Sequence, residues 1–382
     1  MQRFKPRLAV TLSLLALSCV ACAQGSENPA TQAPASTPAD PLDRPAEVMP
    51  LADRSLILDV TKVGERYVAV GERGHVLLSD DGVEWTQSAH VPLRSTLTAV
   101  SAIGADVWAV GHDGVILHSG NAGENWEIQR HDPHGIPGDT QIDELRQGVP
   151  LLDVLFTDIN HGIAIGAYSL LLRTADGGKT WTGARINAKD DGETANAEPD
   201  ANAGSDAHSD NELQSSVFSD DELKIGRESD PHLNAIARTG SGGYVIVGER
   251  GALFRSRDGG ESWERGQLPY DGSMFGVLGY DGQHVIAFGL RGHVFESTDL
   301  GVNWTEVATG TELSLMGGAA TADGGAVIVG ANGIVLQRAR GSDALTASTL
   351  TAAGIIANVL PIGADGELLI ASENGISRYQ PK

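Results

Sequence analysis

The chain has 382 residues, with 27 Lys and Arg against 50 Asp and Glu, so its formal net charge is −23. A balance this acidic argues against nucleic acid as a partner, because phosphates require a basic face. The 48 Gly residues are about an eighth of the chain, above the usual ~7%, and indicate many tight turns. The two Cys residues, Cys19 and Cys22, lie near the amino terminus, which excludes a disulfide framework and a four-ligand zinc site.

The first 23 residues have the pattern of an export signal. Three basic residues within the first seven precede an apolar stretch, Leu8–Ala21, which is too short to span a bilayer. Two processing routes stay open: cleavage after the Ala-Cys-Ala run that ends at residue 23, or lipidation of Cys19 at a run that loosely resembles a lipobox. Residues 24–47 are rich in Ala, Pro, Ser and Thr and are interpreted as a disordered tether. We therefore expect an exported, periplasmic protein, with or without a lipid anchor.

A repeat of about 41 residues organises the rest of the chain. Its lead motif is a short apolar run followed by Gly-x-x-Gly or a close variant, and it starts at Gly71, Gly111, Gly166, Gly248, Gly289 and Gly330. A seventh copy, Ala371–Gly375, lies close to the carboxyl terminus. The lead glycines are separated by 40, 55, 82, 41 and 41 residues. The two longer gaps indicate inserts at about 130–150 and 187–230.

Each complete copy contains four short runs with strand character, separated by turns that contain Gly. Four strands in about 40 residues are typical of a propeller blade. The chain is therefore predicted to be all-β, a monomeric seven-bladed β-propeller over residues 48–382. Since the seventh copy supplies three strands, residues 46–51 are predicted to form an N-terminal strand that completes the last blade and closes the ring.

The turn between the third and fourth strands has the form Ser/Thr-x-Asp-x-Gly-x-x-Trp, an Asp box. In such a turn the carboxylate accepts backbone N–H bonds, Gly takes the positive φ and Trp packs into the blade. The residues assigned to these structural positions are Asp80, Asn121, Asp176, Asp258, Asp299, Trp85, Trp126, Trp181, Trp263 and Trp304. The first copy is one residue shorter, so Asp80 fits the distance to Trp85 whereas Asp81 fits the distance from Ser79.

Together with the Gly-x-x-Gly hairpin, these turns resemble bacterial-neuraminidase-type repeats. The fuller form with Asp-Gly-Gly-x-Ser/Thr-Trp, at Thr174–Trp181 and Ser256–Trp263, is similar to the photosystem II assembly/stability-factor propellers and their non-photosynthetic bacterial relatives. The resemblance covers residues 50–382. It implies a non-catalytic propeller that assists assembly of a membrane complex on the luminal or periplasmic side. The photosynthetic members have an Arg-rich patch, whereas this chain is strongly acidic, which favours a membrane-associated partner other than a photosystem.

Strand order predicts that the Gly-x-x-Gly tips and the connections between blades lie on one face, which we call the top face. Loops on a rigid scaffold commonly carry function, so the candidate binding residues are those of this face: Arg73, His112, Tyr168, Arg250, Tyr270 and Arg291. The arginines would suit an acidic or carboxylate-bearing partner. The insert at 187–230 holds 13 acidic and 3 basic residues. It is interpreted as a solvated loop, with an arm for a basic partner or loose capture of Ca²⁺ as the alternatives. His131 and His134 lack a fixed third ligand, so no metal is expected.

Similar turns also occur in sialidases and other glycan hydrolases, so an enzyme is a second functional class for this chain. The chain lacks the Phe/Tyr-Arg-Ile-Pro segment of sialidases, and the repeated Asp residues are expected on the face opposite the loops. We therefore expect no catalytic residue and no small-molecule cofactor. The preferred interpretation is a scaffold that binds and assists assembly of a membrane protein or envelope complex. A glycoside hydrolase or a carbohydrate-binding propeller is the alternative, which aromatic platforms on the top face would favour.

Overall fold

The computed structural model describes residues 44–131, 148–184, 186, 230–342, 344–363 and 366–381. The predicted export signal and most of the predicted tether and of both inserts lie outside these ranges. Within the described residues the chain forms seven antiparallel sheets and short 3-10 turns. The first strands of consecutive blades pack against each other around the whole ring, and the first strand of the last blade packs against that of the first. The predicted all-β, seven-bladed propeller is therefore confirmed.

The first three blades have four strands each. Blade 1 consists of β1 (Ile57–Val63), β2 (Arg66–Gly71), β3 (Val76–Ser79) and β4 (Thr86–Gln87). Blade 2 consists of β5 (Leu97–Ile103), β6 (Asp106–Gly111), β7 (Ile116–Ser119) and β8 (Glu127–Arg130). Blade 3 consists of β9 (Leu151–Phe156), β10 (Gly162–Gly166), β11 (Leu171–Thr174) and β12 (Thr182–Gly183).

The remaining blades follow the same order, except that the last one has three strands. Blade 4 consists of β13 (Leu233–Arg238), β14 (Tyr244–Gly248), β15 (Ala252–Ser256) and β16 (Glu264–Gln267). Blade 5 consists of β17 (Met274–Gly279), β18 (Val285–Gly289), β19 (Val294–Ser297) and β20 (Thr305–Glu306). Blade 6 consists of β21 (Leu315–Ala320), β22 (Ala326–Gly330), β23 (Ile334–Arg338) and β24 (Thr346–Thr349). Blade 7 consists of β25 (Ile356–Ile362), β26 (Glu367–Ser372) and β27 (Gly375–Tyr379).

The core lies between blades rather than within them. The second strand of a blade has a neighbouring blade on each face, so its residues are buried continuously, as in β10 and β14. This explains runs such as Tyr-Val-Ile-Val-Gly, which are apolar throughout instead of alternating. Each apolar cluster joins two consecutive blades, for example Val68 and Val70 of blade 1 with Val107 and Leu117 of blade 2. Burial of this kind supplies most of the stabilisation.

The predicted N-terminal closing strand is wrong. Residues 45–49 have no strand structure and lie beside the outer edge of blade 1, not blade 7. The Ala46 N–H donates to Val91 O at 3.0 Å, and the Gln87 side chain bonds Glu47 O and the Met49 N–H at 2.8 Å each. Pro45 and Pro50 have no N–H, which limits the ladder this segment could form.

The ring is closed instead by packing of blade 7 against blade 1. One apolar cluster contains Ile57 and Leu77 of blade 1 together with Ile362 and Leu369 of blade 7. Two polar contacts cross the same junction: the Asn358 side chain bonds Asp59 at 2.5 Å, and Arg378 Nη1 donates to Asp81 O at 3.3 Å. Blade 7 thus seals the ring as a three-stranded sheet, without a strand from the amino terminus.

The predicted carboxylate contacts are present in the turns after the third strands. Asp176 Oδ1 accepts the Thr180 N–H at 2.9 Å, and Asp258 Oδ1 accepts the Ser262 N–H at 2.9 Å. Hydrogen bonds lower the pKa of both carboxyls to about 2, and the largest contributions come from the Thr180 and Ser262 hydroxyls. Asp299 makes the equivalent bond to the Asn303 N–H, which lowers its pKa to about 2 as well. The turns lie at the end of the third strand opposite the hairpin tip, which fixes them on the bottom face.

The remaining assigned turn positions follow the same scheme, with one correction. Asn121 accepts the Asn125 N–H at 3.0 Å with its amide oxygen. In the first blade, Asp81 and not Asp80 holds the turn: it accepts the Val83 and Glu84 N–H groups at 2.8 and 2.9 Å. The missing residue therefore lies between the carboxylate and the Trp. Asp80 points away and pairs with Arg66.

The five Trp side chains pack between the blades. Trp126 and Trp263 are buried, each with an exposed fraction of 7%, whereas the side chains of Trp85, Trp181 and Trp304 are partly buried against the neighbouring clusters. Trp126 Nε1 donates to Gly123 O at 2.8 Å and Trp304 Nε1 to Gly301 O at 3.1 Å. In blades 2 and 5 the indole thus bonds its own turn, whereas the indole N–H groups of Trp181 and Trp263 are buried without a hydrogen-bond partner among the described residues.

Substituting the two neighbouring aspartates separately tests the corrected turn. Asp81→Ala removes the carboxylate oxygen that accepts two backbone N–H groups and is expected to lower the melting temperature by a few degrees. Asp80→Ala removes an exposed ion pair and is expected to change the melting temperature by no more than about one degree. Thermal unfolding followed by circular dichroism distinguishes them, and a larger effect from Asp80→Ala would contradict the correction.

Truncation tests ring closure. A chain that begins at Met49 loses the Ala46 and Glu47 contacts but no strand, so we expect it to fold with a loss of about 1–2 kcal/mol. A chain that ends at Asn374 loses β27 and exposes β26 as an edge, so we expect no folded monomer. Size exclusion and denaturant unfolding provide the measurement. Equal damage from the two truncations would show that the amino terminus is an essential part of the last blade.

Candidate functional site

The top face is built from hairpin tips that bond to the connections entering the next blade. The Gly251 N–H donates to Gly272 O at 2.9 Å, and the Ser169 N–H donates to Pro231 O at 2.8 Å. These contacts place the tips and the blade connections on one face, as predicted. Because these tips are bonded to the connection that enters the next blade, their side chains are presented on a stiff base.

The hairpin tips share one backbone conformation, of which the Gly-x-x-Gly motif predicted only the glycines. A Cβ on the first Gly would approach a backbone oxygen to about 2 Å, for example Gly71 to Leu56 O and Gly248 to His232 O. Two residues later a side chain other than Gly occupies the left-handed region, with φ between 52° and 60°, at Arg73, Asp113, Tyr168, Arg250, Arg291 and Asn332. This costs on the order of 1 kcal/mol per position. Strained side chains at the tips of binding loops are a recurrent feature of functional surfaces.

Two of the predicted binding residues, Tyr168 and Arg250, lie on the hairpin tips of blades 3 and 4, which meet at one junction. Tyr168 is 54% exposed, and its ring meets the His232 ring edge-on with centroids 4.9 Å apart. His232 Nδ1 lies 3.5 Å from Glu249 Oε1, and Glu249 is the residue before Arg250. A tyrosine, an imidazole and a carboxylate are therefore in sequential contact at this junction, and exposed Arg250 lies on the same tip as the carboxylate.

The next junction, between blades 4 and 5, repeats this combination. Tyr270 is partly buried, and its ring lies over His293 with centroids 4.0 Å apart. His293 Nδ1 is 2.7 Å from Glu306 Oε1, and Arg291 precedes His293 by two residues. We call the combined surface of both junctions the top-face arc, which consists of Tyr168, His232, Glu249, Arg250, Tyr270, Arg291, His293 and Glu306.

Arg73 and His112 belong to blades 1 and 2 and have different neighbours. Arg73 lines a cavity of about 310 Å³ beside Met49, Leu51 and buried His75. Burial lowers the pKa of the His75 imidazole. His112 is exposed. Four of the six predicted binding residues thus contribute to the arc, while these two do not.

Two acidic residues that line the central channel of the ring were not predicted from the sequence. Asp59 and Asp153 lie on the first strands of blades 1 and 3 and line a central cavity of about 160 Å³. Burial raises the pKa of Asp59 to about 6 and that of Asp153 to about 7. The sequence did contain an indication of them. Each is a single acid within an otherwise apolar strand, at a position where blades 2 and 4 have Ala99 and Ala235.

The described residues offer neither a metal site nor a membrane-spanning helix. In residues 44–131, 148–184 and 230–381, with their short gaps, no group of three or more His, Cys, Asp or Glu side chains could hold a metal. The same residues contain no helix long and apolar enough to cross a membrane. His134 and most of the acidic insert at 187–230 lie outside the described residues.

The comparisons with known proteins establish the fold. No protein-family model matches the chain, and no curated protein sequence matches it. Among solved structures it is similar to YCF48 bound to D1 peptide, at 18% identity and a TM-score of 0.59 over 90% of this chain and 98% of that one. It is likewise similar to YCF48 from Cyanidioschyzon merolae, at 16% identity and a TM-score of 0.59 over 86% and 96% of the two chains.

A third similar structure comes from a larger protein. The extracellular domain of the putative one component system BT4673 from B. thetaiotaomicron aligns at 15% identity and a TM-score of 0.56, over 89% of this chain and 39% of that one. This chain therefore spans about two fifths of that protein. Because all identities are below 25%, these similarities establish a β-propeller shared with proteins of differing roles. The relation to the photosystem II factors stays a prediction.

Substitutions at the tips are expected to separate binding from folding. Blade 6 carries Asn332 at the position of Tyr168 and Arg250, and Asn tolerates the left-handed region better than either residue. Tyr168→Asn and Arg250→Asn should therefore change the free energy of unfolding by no more than about 0.5 kcal/mol. Urea titration provides the measurement. A loss above about 1 kcal/mol would show that these side chains hold the ring together.

Proposed function

We propose that the chain is an exported, non-catalytic scaffold whose top-face arc binds a segment of an envelope or membrane protein and assists assembly of its complex. The observation that carries this proposal is the arc itself. It combines exposed Tyr168, two tip arginines and two imidazole–carboxylate pairs at two neighbouring blade junctions. Fixed loops of this composition favour recognition of a polypeptide.

The similar structures support a peptide as the ligand. A propeller that matches 90% of this chain has been solved as YCF48 bound to D1 peptide. Another similar propeller is an extracellular domain, which agrees with the predicted export signal. A ring of this size therefore suits capture of a short segment outside the cytoplasm.

The chemistry of the arc favours a mixed polar segment. Arg250 and Arg291 can pair with carboxylates or backbone oxygens of a ligand, while Tyr168 offers an exposed ring for packing. Glu249 and Glu306 each face an imidazole, so positive groups of a ligand would meet acids alternating with arginines. Such alternation specifies one partner more strongly than it attracts many.

The carboxylates support a binding role over hydrolysis of glycans. The turn acids with a pKa of about 2 are committed to backbone N–H groups on the bottom face. A general acid needs the opposite shift, towards neutral pH, within reach of the substrate. Asp59 and Asp153 have that shift, but their oxygens accept backbone N–H groups within the central channel.

Site-specific crosslinking in cells tests the proposal. A photoreactive amino acid is introduced at Tyr168, Arg250 or Arg291, and as matched controls at Lys179 and Arg257, which are exposed on bottom-face turns. We expect the three top-face positions to crosslink one and the same envelope protein, identified by mass spectrometry, and the two controls to give no such product. Adding Arg250→Asn to the Tyr168 probe should reduce the yield several-fold.

Two results would contradict the proposal. One is crosslinking of the same partner from the control positions with equal yield. The other is turnover of a sialoside or β-glucan that Glu249→Gln or Glu306→Gln abolishes while the fold is retained, which would establish the enzyme alternative. Binding of a free oligosaccharide without turnover, lost in Tyr168→Asn, would favour the carbohydrate-binding alternative.

A further inference from the structure

Blade 7 presents an unpaired strand edge on the outside of the ring. In each of blades 1 to 6 the third strand pairs with a fourth strand, whereas β27, the third strand of blade 7, pairs only with β26 among the described residues. The outer side of β27 therefore offers backbone N–H and C=O groups over the five residues Gly375–Tyr379. Such an edge is a template for a further strand.

The two neighbouring blades form the side walls of this edge. The Tyr379 hydroxyl donates to Ser348 Oγ of blade 6 at 3.3 Å, and Arg378 Nη1 donates to Asp81 O of blade 1 at 3.3 Å. Between these contacts Ser377 and Arg378 are exposed. We call the outer side of β27, with these two walls, the β27 slot. A strand added there would lie between blades 6 and 1, as the fourth strands of the other blades lie between their neighbours.

The fourth strands of blades 2 and 4 show which side chain suits this position. In both blades the penultimate residue of the third strand is basic, and an acid stands opposite it in the fourth strand. His118 is in register with Glu127, and His118 Nδ1 lies 3.1 Å from Glu127 Oε1. Arg255 is in register with Glu264, and Arg255 Nε donates to Glu264 Oε2 at 2.9 Å. Each acid thus fastens the outermost pair of strands with a cross-strand contact between opposite charges.

Arg378 is the penultimate residue of β27 and therefore occupies the same position in blade 7. On its inner side, Arg378 Nε donates to Glu367 Oε1 of β26 at 2.7 Å. His118 of blade 2 has the same inner contact, with its Nε2 2.8 Å from Asp106 Oδ1 of β6. Blade 2 adds an acid on the outer side as well, and among the described residues blade 7 does not. An acid on an added strand would complete the pattern of blade 2.

Blade 3 shows what happens when the fourth strand supplies no acid. Its basic residue Arg173 stands opposite Thr182 and pairs instead with the carboxylate of Glu261, in the turn of the next blade. In blade 7 the contact of Arg378 with the turn of the next blade is to a backbone oxygen, Asp81 O. The exposed guanidinium in the β27 slot is therefore placed to accept a carboxylate from an added strand.

An aromatic residue precedes the acid in both fourth strands. In blades 2 and 4 it is the Trp of the Asp box, Trp126 or Trp263, which is 7% exposed and packs into the junction with the preceding blade. The apolar cluster between blades 6 and 7 contains no Trp among the described residues, and Leu350 and Tyr379 are only partly buried against it. An added strand could bury its own aromatic side chain against this part of the cluster.

We propose that the β27 slot binds an extended segment of a partner polypeptide as the fourth strand of blade 7, with an aromatic residue followed by Asp or Glu opposite Arg378. The backbone ladder supplies affinity, and the aromatic–acidic pair supplies selectivity. The slot lies on the outer rim between blades 6 and 1, whereas the top-face arc lies at the junctions of blades 3, 4 and 5. The chain therefore has a second binding surface that does not depend on the arc.

Two occupants from this protein itself match the slot less well. Residues 24–43 contain four prolines and no aromatic residue, and each proline lacks the N–H that a ladder requires. A second copy would present its own β27, which contains no acid, so Arg378 would gain no carboxylate. The side chains of the slot therefore favour a different polypeptide.

A fluorescent synthetic peptide of residues 261–268 tests the slot, because this sequence forms the Trp263 and Glu264 part of a fourth strand in blade 4. Fluorescence anisotropy with the full chain, without the predicted export signal, should show saturable binding. Glu264→Gln in the peptide and Arg378→Gln in the protein should each weaken binding several-fold. The two changes together should cost no more than either alone, because they remove the same contact. Arg257→Gln, at an exposed bottom-face position, is the matched control and should leave the affinity unchanged.

Backbone methylation of the peptide tests strand addition in the unaltered protein. Alternate N–H groups of an added antiparallel strand face β27, and the others face solvent. N-methyl groups at Glu264 and Gly266, or at Arg265 and Gln267, should therefore have unequal effects. One pattern should abolish binding, whereas the other should largely preserve it.

Several results would overturn the proposal. Absence of saturable binding, or an equal loss from both methylation patterns, would show that β27 does not accept a strand. A dimer of the chain that the peptide dissociates would show that a second copy occupies the edge. Binding that appears only after removal of residues 24–43 would show that the chain covers the edge itself.

Discussion

Closure of the ring by packing of blade 7 against blade 1 is the constraint on which the rest of the molecule depends. A single blade exposes both of its apolar faces, so burial is complete only when all seven junctions are formed. At this junction no strand from the amino terminus joins the sheet of blade 7. The closing junction relies on the cluster around Ile57 and Leu369 and on the polar contacts of Asn358 and Arg378. Anything that weakens these contacts opens the whole core.

The closed ring separates stability from recognition. The bottom-face turns use their carboxylates to hold the backbone, with pKa values of about 2 that keep them ionised. The top-face tips carry side chains in the left-handed region, a local strain that a stiff base can bear. The inner radius holds Asp59 and Asp153, whose carboxylates accept backbone N–H groups of the next blade. The proposed binding surface and the hydrogen bonds that connect the blades therefore occupy different parts of one scaffold.

Much of this architecture could be predicted from local pattern. Gly-x-x-Gly and the Asp-box spacing repeat in the chain, and they predict seven blades and two distinct faces. The closing strand was predicted wrongly because the count of strands in blade 7 outweighed the two prolines and the slight apolar character of residues 45–50. The first turn was assigned to Asp80 because one residue is missing between Asp81 and Trp85, and spacing alone does not tell on which side of the carboxylate it is missing.

Tyr168, Arg250, Tyr270 and Arg291 of the arc could be predicted from the tips and connections, whereas the imidazole–carboxylate pairs beside them could not, because contacts such as that of Tyr270 with His293 form only in the folded ring. Hydrogen–deuterium exchange of the chain, alone and with the partner that crosslinking identifies, tests the central claim that a rigid ring presents this arc. The account predicts added protection at the tips 167–169, 249–251 and 290–292, with the inner strands unchanged. Protection confined to the bottom-face turns, or a general change of the inner strands, would contradict it.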